Sequence, residues 1–208
     1  MKIKWFGHAC FLLTSKGGIR ILTDPFDASV GYKVPEVEAD IVTTSHDHYD
    51  HSYIRMAKGD FTHIRKPGDF NVHGISITGV STYHDQDKGT QRGQNIVYKF
   101  TVDDVRVCHL GDLGHIPDLA QVERIGPVDV LLLPVGGTYT IDASDAVEVM
   151  KLLKPAVTIP MHYKTPPLKF RLDSVDNFLL LAGGGQRVRK QEVEISNDLR
   201  GIYVLDYE

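Results

Sequence analysis

The chain has 208 residues, enough for a globule that removes roughly 70% of its unfolded surface from water without disulfide support. Its 42% hydrophobic and 24% charged residues exclude a disordered, collagen-like or coiled-coil chain. With 23 basic against 27 acidic side chains, a net charge of −4 and no long Lys/Arg run, nucleic acid is not the expected partner.

Short apolar runs predict strands over 3–6, 10–14 and 19–23, the last two joined by the turn-forming Lys16-Gly17-Gly18. Further strands are expected over 41–45, 75–80, 95–101 and 105–110, with Asp103-Asp104 turning the last pair, so that seven strands precede the first long helix. A helix is expected over 118–125. Apolar residues at 143, 146, 147, 150 and 153 mark a second, core-facing one, with Asp142 as its N-cap and Pro155 as its stop. A third covers 173–182 and ends at Gly183-Gly184-Gly185. Continuous apolar runs over 130–133, 157–159 and 202–205 fit strands buried on both faces. This order suits a single domain, 1–208, of two packed sheets with helices outside.

The longest apolar stretches, such as 9–13 and 178–182, fall far short of the ~20 residues that cross a bilayer. Gly7 and His8 also interrupt the N-terminal apolar segment before signal-peptide length. A cytoplasmic protein without a membrane partner is expected. Cys10 and Cys108 lie in strand-like runs without a C-x-x-C partner and read as buried, reduced thiols.

The ten histidines carry the chemistry. In Ser45-His46-Asp47-His48-Tyr49-Asp50-His51, directly after an expected strand, His46 and His48 point to one side of an extended chain and Asp50 and His51 follow as it turns. Crowded imidazoles and carboxylates are hard to explain by packing and suit two adjacent metals. His84, Asp112 and His162 stand after three further expected strands, and glycines at 111 and 114 flank Asp112 so that backbone can approach closely. A lone strand-end His or Asp is ordinarily a cap or turn residue; the recurrence makes these site candidates.

His46-x-His48-x-Asp50-His51, then His84, Asp112 and His162, resembles the signature of the metallo-β-lactamase fold superfamily of metal-dependent hydrolases. Gly7-His8-Ala9, Thr23-Asp24-Pro25, Pro134-Val135-Gly136-Gly137 and Pro160-Met161-His162-Tyr163 are similar to the small branch that contains the ascorbate-6-phosphate lactonases. The resemblance covers nearly the whole chain and implies a four-layer αββα sandwich with a dinuclear site at one edge of the sheets. It assigns His46, His48 and His84 to one metal, Asp50, His51 and His162 to the other, and Asp112 as the bridge. It also places His8 and Asp24 near the metals, orienting ligands or substrate. Leu113 stands where the family commonly has Thr, and Asp85 where it has Ser.

Five imidazoles and two carboxylates suit two divalent cations, Zn²⁺ first, with Mn²⁺ or Fe²⁺ as alternatives. Two metals ~3.5–4 Å apart can hold and ionise a bridging water, so hydroxide is the expected nucleophile. Two such cations, two aspartates and one hydroxide leave about +1, which favours a small anionic ester, lactone or phosphodiester. Lys88, Arg92 and Lys164 are candidate substrate contacts, His115 is a candidate proton donor, and His109 reads as a core histidine. An RNA- or nucleotide-processing phosphodiesterase and a non-catalytic metal-stabilised binding module are the competing readings, and a homo-oligomer stays open.

Overall fold

Neighbouring residues on a strand face opposite ways, and here that alternation separates two hydrophobic layers. In the computed structural model, which describes residues 1–196 and 198–207, Phe11, Leu13, Ile21 and Ile41 join one core while Cys10, Leu22 and Val42 beside them join another.

The chain opens with strands β1 (Lys2–Gly7), β2 (Cys10–Thr14), β3 (Arg20–Thr23), β4 (Val37–Glu38) and β5 (Ile41–Thr43). There follow β6 (Ala57–Lys58), β7 (Thr62–Ile64), β8 (Gly68–Val72), β9 (Ile75–Tyr83), β10 (Gln94–Val102) and β11 (Val105–His109). Helices then alternate with strands as α1 (Leu119–Ile125), β12 (Val130–Pro134), α2 (Ala143–Leu153), β13 (Val157–Met161) and α3 (Val175–Ala182). The last strands are β14 (Gln186–Arg187), β15 (Glu192–Glu194) and β16 (Gly201–Val204). One sheet orders β15-β1-β2-β3-β5-β7 and the other β14-β16-β13-β12-β11-β10-β9-β8, with β4 and β6 paired separately.

Most expected elements lie within a residue or two of their observed bounds; β9 runs three residues past its expected end at 80. Asp142 caps α2 by accepting from the Ser144 and Asp145 N–H groups, and Lys154 takes a left-handed φ of 48° before Pro155. Ser174 caps α3, which starts two residues after its expected beginning at 173. The strands that sequence patterning passes over, β4, β6, β7, β8, β14 and β15, are short and mostly half-exposed, so they lack a continuous apolar face.

The main core joins residues of both sheets, among them Trp5 and Phe11 from one and Ile77, Phe100 and Val107 from the other. On the outside, α1 packs on β9, α2 on β12 and α3 on α2. The outer face of the first sheet is covered differently. Phe26, Val30, Tyr32, Met56 and Leu168 cover Phe6, Leu22 and Val42 from loops and two single turns of 3-10 helix, Ala28–Val30 and Ile54–Met56. Pro25, Gly31 and Pro35 keep this segment from forming a longer helix. Among the described residues no helix is long and apolar enough to cross a membrane.

Strand direction delivers the site. β1 and β3 are each antiparallel to β2, and β5 is parallel to β3, so the carboxyl ends of β1, β3 and β5 share one edge. β9 and β11 are each antiparallel to β10, and β11, β12 and β13 are parallel, so their carboxyl ends share an edge of the second sheet. The His162 N–H donates to the His8 carbonyl at 3.1 Å and ties the two edges together.

Both cysteines are fully buried, and burial raises the thiol pKa of each, to about 12 for Cys108. Neither should react with a disulfide reagent at pH 8 in the native protein, and both should react in guanidinium; rapid native labelling would contradict this packing.

Candidate metal centre

The residue after each of six strands at these edges is, or closely precedes, a candidate ligand or its support: His8 after β1, Asp24 after β3, the 44–51 loop after β5, His84 after β9, Asp112 shortly after β11 and His162 after β13. Three of them hold left-handed backbone, His8 (φ 52°), Asp24 (φ 42°) and His162 (φ 51°). Non-glycine residues enter that region at a cost, and such strain concentrates where geometry serves a site.

The Asp112 carboxylate is the centre. Nε2 atoms of His51, His84 and His46 lie 3.2, 3.3 and 3.9 Å from its Oδ2, and His162 Nε2 lies 3.4 Å from its Oδ1. Three donor sets have their atoms within 4.8 Å of one another: His46, His48 and His84; His46, His51 and Asp112; and His8, His51 and His162. Asp50 Oδ2 lies 3.2 Å from His8 Nε2 and 3.7 Å from His51 Nε2. His48 is exposed and the Asp50 side chain is 15% exposed, whereas Asp112 and the other imidazoles are nearly enclosed.

A layer beneath fixes the rings. Asp24, fully buried, accepts His51 Nδ1–H at 2.9 Å, the Ser45 N–H at 2.8 Å and the Ser45 hydroxyl at 2.6 Å. Ser45 Oγ in turn accepts His46 Nδ1–H at 2.9 Å. One carboxylate thus sets the tautomer of two imidazoles, directly and through a hydroxyl, leaving their Nε2 lone pairs facing Asp112. Asn95 Oδ1 accepts the Asp112 N–H at 3.0 Å while its amide donates to Thr82 Oγ1 and the Leu110 carbonyl. A Cβ on Gly111 would lie 2.4 Å from that Asn95 oxygen and 2.5 Å from Ser45 Cβ, so only glycine lets these loops meet. Nothing in the sequence pattern singled out Ser45 or Asn95, although Asn95 is a polar residue opening an apolar strand run.

Burial outweighs the nearby charges at His8 and His46 and pulls both imidazoles down to about 3, so they are neutral donors at neutral pH. Burial pushes the Asp112 carboxyl up, but His162 and His51 more than reverse this and hold it well below the carboxylate range. The pattern of unmet polar atoms points to a ligand. Among the described residues, seven buried side-chain nitrogens and oxygens lack a hydrogen-bond partner, and six belong to His8, His46, His51, His84, Asp112 and His162. Such atoms cost about 1–3 kcal/mol each when unmet; three of them, His46 Nε2, His51 Nε2 and Asp112 Oδ1, sit at the centre itself, and that mix of imidazole and carboxylate donors fits divalent cations of the Zn²⁺, Mn²⁺ or Fe²⁺ type.

A profile described as the beta-lactamase superfamily domain matches residues 2–162. The chain belongs to this superfamily of metal-dependent hydrolases, in its metallo-β-lactamase fold. A metal-dependent hydrolase from Archaeoglobus fulgidus is 34% identical, the match covering 81% of this chain and 85% of the relative. Another from Thermococcus kodakarensis is 32% identical over 81% and 87%. A crystal structure from Thermotoga maritima, named provisionally a Zn-dependent hydrolase, superposes with a TM-score of 0.85 at 47% identity, covering 100% of this chain and 99% of its own. The superfamily scaffold also serves an isothiocyanate hydrolase from a gut bacterium of Delia radicum, at 16% identity and a TM-score of 0.69, a likeness of fold alone.

The remaining candidates separate. His109 Nε2–H donates to the Ala9 carbonyl and its Nδ1 accepts the Gly111 N–H, as a core histidine does. His115 does not reach the cluster as a proton donor, because its Nε2 accepts the Tyr83 N–H and its Nδ1–H donates to the Ile116 carbonyl. Lys164 is not free to meet an anion; its ammonium donates to the Leu168 and Phe170 carbonyls. Lys88 is exposed and lies outside the cavity over the metal centre, whereas Arg92 lines it. Asp85 is 4% exposed and accepts four backbone N–H groups, from Asp87, Gly89, Gln91 and Arg92, at 2.8–3.0 Å. Burial raises its carboxyl, and those four donors bring it below the usual range.

Asp85→Ala should therefore free the 86–93 loop while the metal cluster stays folded. Amide exchange at Gly89, Gln91 and Arg92 should accelerate by about tenfold or more, since bonds to a charged acceptor are the strong ones. Unchanged exchange would remove Asp85 as the organiser of the loop.

Proposed function

We propose that this protein hydrolyses a small anionic ester, lactone or phosphodiester at a two-metal centre. His46, His48 and His84 hold one ion, Asp50, His51 and His162 the other, and Asp112 lies between them. The observation that carries this reading is the convergence of four imidazole nitrogens on Asp112 within 3.9 Å, in a cluster that gathers six of the seven unmet buried polar atoms. Two bound cations supply Lewis acidity and an activated water at neutral pH. The chain does the rest. Asp24 and Ser45 orient the His46 and His51 rings, and His8, fully buried beneath His51 and His162 at ring-centroid distances of 4.7 and 4.2 Å, holds Asp50 in place. Exposed His48 and the open side of Asp50 mark where substrate enters.

Elemental analysis of purified protein should find about two ions per chain, with hydrolysis across a panel of model phosphodiesters, esters and lactones. Asp112→Asn and His46→Ala should abolish turnover and lower the metal content. Full metal uptake without turnover on the panel would replace this reading with a metal-stabilised binding module. Chelation should abolish activity and readdition restore it.

Asp24→Asn preserves size but removes the acceptor that fixes His51 and Ser45, and metal affinity should fall by about 10–100-fold in competition with a chelator. Imidazoles must be neutral to donate. Burial keeps His46 neutral and would lower His51 too, but Asp112 and Asp24 more than reverse this and hold the His51 proton above the usual imidazole value, so metal affinity should rise with pH across neutrality and fall on acidification. Affinity independent of pH would exclude a histidine-based centre.

A further inference from the structure

The cavity over the metal centre has a volume of about 350 Å³ and is walled by more than its candidate ligands. Tyr49, Tyr139 and Phe170 line it, with Arg92. Tyr49 and Tyr139 are 55% and 39% exposed, among the few large apolar side chains held in solvent in the described chain. Tyr139 and Phe170 meet edge to face at 6.1 Å, and Phe170 lies 5.6 Å from the His8 ring.

Each wall is held in place. Thr138, at a left-handed φ of 59°, turns Tyr139 outward, and the Tyr139 N–H donates to the Gly137 carbonyl. Lys164 clips the Phe170 loop through the Leu168 and Phe170 carbonyls. Asp85 grips the Arg92 N–H, while the guanidinium donates to the Thr138 carbonyl at 3.2 Å and sits 5.7 Å from the Tyr139 ring centre. No carboxylate pairs with Arg92 among the described residues, and it is the one lysine or arginine lining this cavity. It also lines a second pocket with His46, His48 and Arg65. Apolar groups held rigidly in water are costly unless they bind something, and prior ordering removes the entropic cost of doing so.

We infer that the substrate carries a flat apolar group, seated against Tyr139 and Phe170, beside an anionic group read by Arg92. This deepens the proposed function and rests on it for the position of the scissile bond, but not for the binding preference. Arg92 is a specificity residue; Asp85 and Lys164 are positioning residues that act through the loops they hold. Small hydrophilic anions, such as sugar phosphates, fill the charged half of this cavity and leave its aromatic half wet.

Calorimetric binding of phenylphosphonate and methylphosphonate to the metal-loaded protein tests this without turnover. Phenylphosphonate should bind about tenfold tighter, as expected for one aromatic group buried against two rings. Tyr139→Ala and Phe170→Leu should each erase most of that ratio, with phenylphosphonate losing far more affinity than methylphosphonate and metal content staying at the wild-type value. Arg92→Ala should weaken both ligands, and Arg92→Lys should recover part of the loss. Equal affinity of the wild type for the two ligands, or a ratio unmoved by both aromatic substitutions, overturns the inference. Low metal content in the starting protein would instead count against the two-metal centre, so the two failures are distinguishable.

Discussion

The structure depends on how much unmet polarity it buries in one place. Asp112 lies out of water between imidazoles from three separate loops, with its neighbours' nitrogens aimed at it and not hydrogen-bonded elsewhere. An isolated buried carboxylate or imidazole would be tolerated only as a neutral or paired group. His46 Nε2, His51 Nε2 and Asp112 Oδ1, unmet side by side, make sense as one shared requirement for positive charge, which the two-metal reading meets.

The supports follow from it. Asp24 accepts from two backbone or side-chain donors of Ser45 and from one imidazole, and so carries orientation to His51 directly and to His46 at one remove. Strained backbone at His8, Asp24 and His162 turns these residues inward immediately after their strands. Behind that edge the strands carry packed apolar faces. A rigid scaffold thereby holds an arrangement that the local chain would not adopt alone.

Much of this was legible in the sequence. Strands such as β2, with its exact apolar run, and helix α2, with Asp142 before it and Pro155 after it, announce themselves through periodicity and caps. The donor-rich loop at 46–51 stands out because no packing argument accounts for so many imidazoles and carboxylates together. Other features depend on contacts between distant segments. Ser45 and Asn95 are ordinary polar residues until the fold brings them to Asp24 and Asp112, and Lys164 reads as a free cation until its carbonyl partners four and six residues away are seen. His115 looked available for the same reason; its two ring nitrogens are taken up by backbone of which one partner is 32 residues away. The covering of the first sheet by loops was hidden because short 3-10 turns leave no periodic trace.

The hydrogen bond from His162 to the carbonyl of His8 joins the last donor of the cluster to one of the first. About three-quarters of the polypeptide separates them, so no early portion of a nascent chain emerging from the ribosome can complete the pocket. Completion of the centre is thus a late event in biogenesis, because a product terminated before residue 162 lacks one of the donors, however well its first strands pair.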